Sequence, residues 1–237
     1  MTAHNKSLIR PIYGDMKLYY RHAEEENLFL LGSESNPHKT DWLNRQIDLF
    51  SKLGWKFLVL DMSEVSAMGR PHLLSGRWSN IERNALLNFV PPVIVRAPRF
   101  QDLLDTLDEI NLIKSENPSA KHITVVYLGN IRALVPDEKD ALYEVLLKLS
   151  TYHHGIWLAA ERFQPFLLDK LDLFHTQIVF ADEDEPDIEM QKWTKRYGIE
   201  QLDISQLDEE EAYCLFRGKS EGNGRLYVCN LSNKGDW

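Results

Sequence analysis

Cysteine is scarce: the 237 residues contain two. Cys214 and Cys229 stand at neither zinc-ligand nor CxxC spacing, and they read as reduced, mostly buried thiols of a cytosolic protein. Long apolar runs are missing too. No stretch approaches the roughly 20 residues that a membrane helix needs. The first ten residues have no apolar core, so no secretory signal is expected there, and residues 1–7 are expected to lie outside the fold. Positive charge is not in excess: 27 Lys and Arg against 36 Asp and Glu leave a net charge of −9. A self-sufficient nucleic-acid binder usually shows a basic footprint, so that class is disfavoured, although one face of a larger DNA machine stays open. Repeats, low-complexity segments and linkers are absent, and residues 1–237 read as one domain. With 43% hydrophobic and 27% charged residues the balance is that of a globular chain.

What is present is an alternation of short apolar runs with helical periodicity. Residues 27–31 form a buried strand that stops at Gly32. After a polar loop, Leu43, Ile47, Phe50 and Leu53 recur at helical spacing until Gly54. Residues 56–60 are a second strand, ended by Asp61. Residues 62–80 read as loop, 81–89 as a short helix, 93–95 as a strand and 99–116 as a helix closed by Asn117-Pro118. The clearest strand is 123–128, β-branched and continuous. A helix starts at Pro136-Asp137, carries Leu142, Val145, Leu146 and Leu149, and ends before Gly155. Strands follow at 156–160 and 177–180, then a helix near 187–197 and a closing edge strand at 226–229. Unbroken apolar strands separated by amphipathic helices predict an α/β fold, a mostly parallel sheet with helices on both faces.

In such sheets ligands bind at the carboxyl ends of the strands. The first loop there runs from Gly32 to Thr40, and its final Lys39-Thr40 matches the phosphate-loop pattern G-x-x-x-x-G-K-[ST]. In that pattern the glycines let backbone N–H groups wrap phosphates, the lysine reaches the outer phosphates and the hydroxyl binds magnesium. Here Ser33 and His38 stand where the glycines belong, and Pro37 offers no N–H. The place and the charge are kept and the cradle is lost. The plainer alternative is that Lys39-Thr40 is simply a helix start. A nucleoside triphosphatase also needs a strand ending in acids that hold magnesium and activate water. The corresponding strand, 124–128, is followed by Gly129 and Asn130, neither of them acidic. Asp61 is the one acid directly ending a strong strand, and it reads as a surface-loop acid or a helix cap.

This order of pieces resembles the FtsK/SpoIIIE branch of the FtsK/HerA P-loop ATPases over most of residues 27–230. That family runs strand, phosphate loop, helix, strand, long helix, acidic strand, helix, then a sensor strand. Leu158-Ala-Ala-Glu161-Arg162 stands at the sensor, with Glu161 in place of the usual glutamine. Residues 167–182 and the run from Tyr197 to Gly218 keep the family's register. The resemblance implies a RecA-like P-loop fold. Degenerate modules of this kind close the membrane-anchored coupling ATPases of type VII secretion, the EssC/EccC family. It therefore implies a cytosolic part of a secretion protein that recognises the C-terminal segment of a secreted substrate and contacts neighbouring ATPase modules of its own chain. No tightly held cofactor or metal is expected, with room left for weak ATP and magnesium binding.

Other residues carry less. His153-His154 precede a strand with no acid at ligand spacing. The acidic runs 182–187 and 208–211 lack the spacing of a calcium loop and suit a solvated loop and a helix N-terminus. No Ser-His-Asp or Cys-His grouping stands in a diagnostic local motif. Arg70, Arg77 and Arg83 could face a phosphate or a neighbouring subunit, or be surface charge. Trp78, Phe163, Phe166 and Leu167 are the candidate partner-binding residues, with core packing as the alternative. Three functional readings follow: a non-hydrolysing binding module of a secretion coupling protein, an active divergent ATPase motor, and a DNA translocase subunit. The lost glycines and acids favour the first over the second, and the charge favours it over the third.

Overall fold

Short, almost wholly apolar runs build one sheet in a computed structural model of the chain. It describes residues 27–32, 37–52, 54–62, 73–75, 77–88, 92–97, 99–117, 122–128, 135–150, 155–160, 171–180, 188–197, 207, 211–216 and 225–230. In chain order the elements are β1 (Leu28–Leu31), α1 (Pro37–Lys52), β2 (Lys56–Asp61), β3 (Leu73–Leu74), α2 (Asn80–Asn88), β4 (Val93–Arg96), α3 (Phe100–Glu116) and β5 (His122–Tyr127). They continue with α4 (Pro136–Ser150), β6 (Ile156–Ala160), a 3-10 turn (Leu171–Leu173), β7 (Thr176–Phe180), α5 (Ile188–Arg196), β8 (Glu211–Phe216) and β9 (Arg225–Asn230). The sheet has nine strands in the order β3-β4-β2-β5-β6-β1-β7-β8-β9. Strands β1 to β7 run parallel, and β8 and β9 are antiparallel additions at one edge.

Two strands differ from the sequence reading. The segment read as loop at 62–80 contains β3, two residues paired to β4 and too short to leave a periodic signal. Strand β8 was not expected, and its first residue is Glu211, so a strand rather than a helix follows the acidic run at 208–211. Helix α1 opens at Pro37, ahead of the first periodic leucine, because the polar residues of the loop's end supply its first turn. It closes at Gly54, whose φ of 87° is the left-handed conformation that glycine adopts at no steric cost. Trp55 N–H donates to Phe50 O and Gly54 N–H to Ser51 O, each at 3.0 Å, the paired bonds of a Schellman cap.

Alternation along the strands divides the core. Phe29, Leu31, Leu58, Leu60, Val126, Leu158 and Val179 face a layer that includes residues of α2, α3, α4 and α5. Leu30, Phe57, Val59, Val125, Trp157, Ile178 and Phe180 face Trp42, Leu43, Ile47 and Phe50 of α1. Both faces are covered, unevenly. Trp157 takes two edge-on ring contacts, with Phe50 at 5.7 Å and Phe57 at 5.4 Å.

The buried polar residues fasten neighbouring elements. Asn27 donates to Leu173 O at 2.9 Å and accepts from Ile156 N–H at 3.0 Å, which fixes the start of β1 against β6. Gln177 accepts from the Trp193 indole and donates to the Tyr197 hydroxyl, both at 2.8 Å, so α5 is held to β7. Arg83 on α2 meets Glu109 on α3 at 2.6 Å. Ser79 and Glu82 form a capping box at the start of α2: the Ser79 N–H donates to the Glu82 carboxylate at 2.7 Å and the Glu82 N–H to the Ser79 hydroxyl at 3.3 Å.

Lys114 on α3 is an exception. It is 1% exposed, and its Nζ has no hydrogen-bond partner among the described residues. Desolvation pushes its pKa down from the ordinary 10.5 to about 7. In the unfolded chain the amine keeps its proton up to the ordinary value, so between about pH 7 and 10.5 the unfolded state binds more protons. Stability should therefore rise with pH across that window and be flat in this contribution below it. Lys114→Met, which keeps the length of the side chain and removes the amine, should raise denaturant stability at neutral pH by about 1–3 kcal/mol. It should also abolish the alkaline rise, as read from urea midpoints at pH 6.5 and 9.5.

Candidate functional site

Three strand ends meet at the carboxyl edge of the sheet, because β6 lies between β1 and β5. Gly32 ends β1, and its N–H donates to Ala160 O at 3.3 Å. Leu128, just past β5, donates to Ala159 O at 2.9 Å. Helix α1 begins five positions after Gly32 with Pro37, a residue suited to a first turn because it has no N–H to leave unsatisfied. The sequence thus sets a helix start directly over the ends of β1 and β6.

Lys39 lies in that first turn and has no exposed surface. Its Nζ donates to Gly32 O at 2.6 Å and to Ala160 O at 3.3 Å, and stands 5.4 Å from the centroid of the Tyr127 ring. Lysine is almost never this buried without partners, and here backbone carbonyls and an aromatic face supply them. The close approach needs a glycine. A Cβ at Gly32 would meet Phe180 Cβ at 3.0 Å and Lys39 Cδ at 3.4 Å. Phe180 is in turn fixed edge-on to Trp42 of α1 at 6.3 Å.

Tyr127 sits beside Asp61 of β2 on one side and Ala159 of β6 on the other. Asp61 alternates with Phe57 and Val59, so it lies on the α1 face, and it is 1% exposed. That corrects the reading of Asp61 as a surface-loop acid or helix cap. The strand runs one residue further than its apolar pattern, and the Asp61 carbonyl still accepts from Ala97 N–H at 3.1 Å.

Of the phosphate-loop residues named from sequence, Lys39 is central, and His38 and Thr40 are half-buried in the same turn. Ser33, Gly129, Asn130, Glu161, Phe163, Phe166 and Leu167 lie outside the described residues, as do Arg70, His153-His154 and the acidic run 182–187. Trp78 was a candidate for partner binding with core packing as the alternative, and the structure gives the core. It is 7% exposed, part of the core, and its indole N–H donates to Leu74 O at 3.1 Å. Of the arginines, Arg83 is paired with Glu109 and Arg77 is exposed. Sequence reasoning missed Gly32, Tyr127, Ala160 and Phe180. Their shared signal was position: each stands at or beside the last residue of a strand.

The lysine that would meet the outer phosphates has its ammonium turned onto backbone carbonyls, away from solvent. Among the described residues no group of three or more His, Cys, Asp or Glu is placed to hold a metal ion, and no helix is long and apolar enough to cross a membrane.

No protein-family model and no curated protein matches the sequence. Solved structures do share its fold. The genome packaging NTPase B204 from Sulfolobus turreted icosahedral virus 2, in complex with ATP-gammaS, matches with a TM-score of 0.56 at 12% identity, over 86% of this chain and 97% of that one. B204, the DNA-packaging ATPase from Sulfolobus Turreted Icosahedral Virus, gives 0.54 at 11% identity, over 87% and 97%. ATPases 2 and 3 of EssC from Geobacillus thermodenitrificans give 0.43 at 13% identity, over 91% of this chain and 41% of that one, too slight a likeness to carry an argument. The chain thus has the RecA-like P-loop NTPase fold: the pattern of strands and helices predicted its mostly parallel, doubly covered sheet, and the family resemblance implied the rest.

Gly32 gives a direct check on the packing of this site. Gly32→Ala forces either Phe180 or the stem of Lys39 to move and should cost about 1–3 kcal/mol, read as a lower urea midpoint with an unchanged slope. An alanine variant as stable as the parent would mean that the lysine stem gives way freely.

Proposed function

We propose that this module has given up ATP turnover and serves as a binding or regulatory part of a protein-export coupling ATPase of the type VII secretion kind. One observation carries the loss of turnover. The sheet order brings the end of β5 beside β6 and one strand from β1, where a hydrolase needs carboxylates for magnesium and water, and the residues there are Tyr127 and Leu128, followed in sequence by Gly129 and Asn130. The substituted loop positions, Ser33 and His38, support the same reading. The export role rests on the sequence resemblance, and the net charge of −9 agrees with a protein partner better than with a phosphate backbone. The substrate is the C-terminal segment of a secreted helical protein, docking by apolar anchors at helical spacing, with Phe163, Phe166 and Leu167 as receptor residues. Neighbouring ATPase modules of the same coupling protein are the other partners.

A divergent motor is the second reading, and Asp61 favours it. That acid is buried beside Tyr127 at the same edge of the sheet and could replace a missing carboxylate. Phosphate release with ATP and magnesium separates the two. The pseudo-ATPase reading expects release equal to a buffer control and nucleotide binding weaker than a micromolar dissociation constant, about −8 kcal/mol. Turnover that both Lys39→Ala and Asp61→Asn abolish would establish the motor instead. Tight, salt-sensitive binding of double-stranded DNA, with no response to a substrate peptide, would favour the translocase.

A further inference from the structure

We infer that Lys39 is an internal tie across the sheet, an autoinhibitory contact that keeps its ammonium from any phosphate. The inference concerns the same site but does not depend on what the module binds or whether it hydrolyses ATP.

The argument starts from desolvation. Taking an ammonium out of water costs several kcal/mol, so a lysine with no exposed surface persists only where fixed dipoles replace the water. At Lys39 they do. Gly32 O lies at 2.6 Å, at the short end for a charge-assisted bond, Ala160 O at 3.3 Å, and the negative face of the Tyr127 ring at 5.4 Å. These acceptors are strand ends that belong to the sheet whether or not a ligand is near. The bonds join residues 7 and 121 positions apart in the chain, so one side chain fastens α1, β1 and β6 together.

The surroundings are shaped to this role. Gly32 leaves room for the stem of Lys39 where a Cβ would come within 3.4 Å of its Cδ. A phosphate-loop lysine has to extend toward the outer phosphates, whereas this one turns back over the sheet edge. Its ammonium cannot serve both partners, so an anion at the start of α1 has to compete with contacts that close the fold. Binding there is opposed by whatever stability the tie contributes.

Amine acylation of the native protein, read lysine by lysine by mass spectrometry, tests this without any substitution. Lys52 and Lys195 are exposed and should label at the rate of free amines. Lys39 should label at least about a hundredfold more slowly, as a group reached only through local opening, with or without millimolar magnesium pyrophosphate. Lys39→Met, which leaves the two carbonyls without their donor, should lower the melting temperature by several degrees. The melting temperature of Lys39→Ala should recover in propylammonium and not in propanol. Labelling of Lys39 as fast as Lys52 would overturn the inference. So would a Lys39→Met protein that melts like the parent. The labelling result stands by itself if the variants do not fold, and phosphate release, measured separately, bears only on the loss of turnover.

Discussion

A single positive charge held out of water at the end of a sheet constrains everything around it. For the Lys39 ammonium to stay there, two carbonyls must point at it, an aromatic ring must lie beside it, and nothing may stand in the path of its stem. Gly32, Ala160 and Tyr127 answer these demands from three adjacent strands. The strand order that makes them neighbours is therefore a condition of the site as much as a feature of the fold. Helix α1 is set by the same condition, since its first turn must lie over β1 and β6, and Trp42 against Phe180 fixes it there.

The second buried lysine shows what happens without such partners. Lys114 is as deeply buried as Lys39, but no hydrogen bond among the described residues meets its amine, and its pKa falls to about 7. The physics is the same and the outcomes differ: fixed dipoles can substitute for water, and where they are missing a lysine escapes the cost by releasing its proton. Two buried amides follow the first course. Asn27 and Gln177 each bond on both sides of the amide and become fasteners between elements.

Much of the fold was legible in the sequence, because parallel strands buried on both faces write themselves as unbroken apolar runs, as at 57–60 and 156–160. Gly54 and Asn117 marked helix ends by their own conformational chemistry. What could not be read was set by long-range pairing. Strand β3 exists because Leu73 and Leu74 lie beside β4, and β8 because β7 offers a partner, not because of local pattern. The site was half legible. Lys39 announced itself by motif, yet the direction in which its side chain turns depends on strand ends far away in the chain. Asp61 looked like a loop residue because an acid after four apolar residues usually leaves a strand, and Trp78 looked accessible because no periodic element surrounds it.

The outermost strand has a consequence of a different kind. Strand β3 is two residues long and sits at the margin of the sheet, with Leu74 76% exposed. A greasy residue on an open margin invites a stray chain to lay itself alongside and extend the ladder. The Leu74 carbonyl, however, already accepts the indole N–H of Trp78. A foreign strand arriving there meets a short edge with one acceptor taken. The indole of Trp78, itself in the core, thus occupies an acceptor of this short strand that a pairing chain would otherwise use.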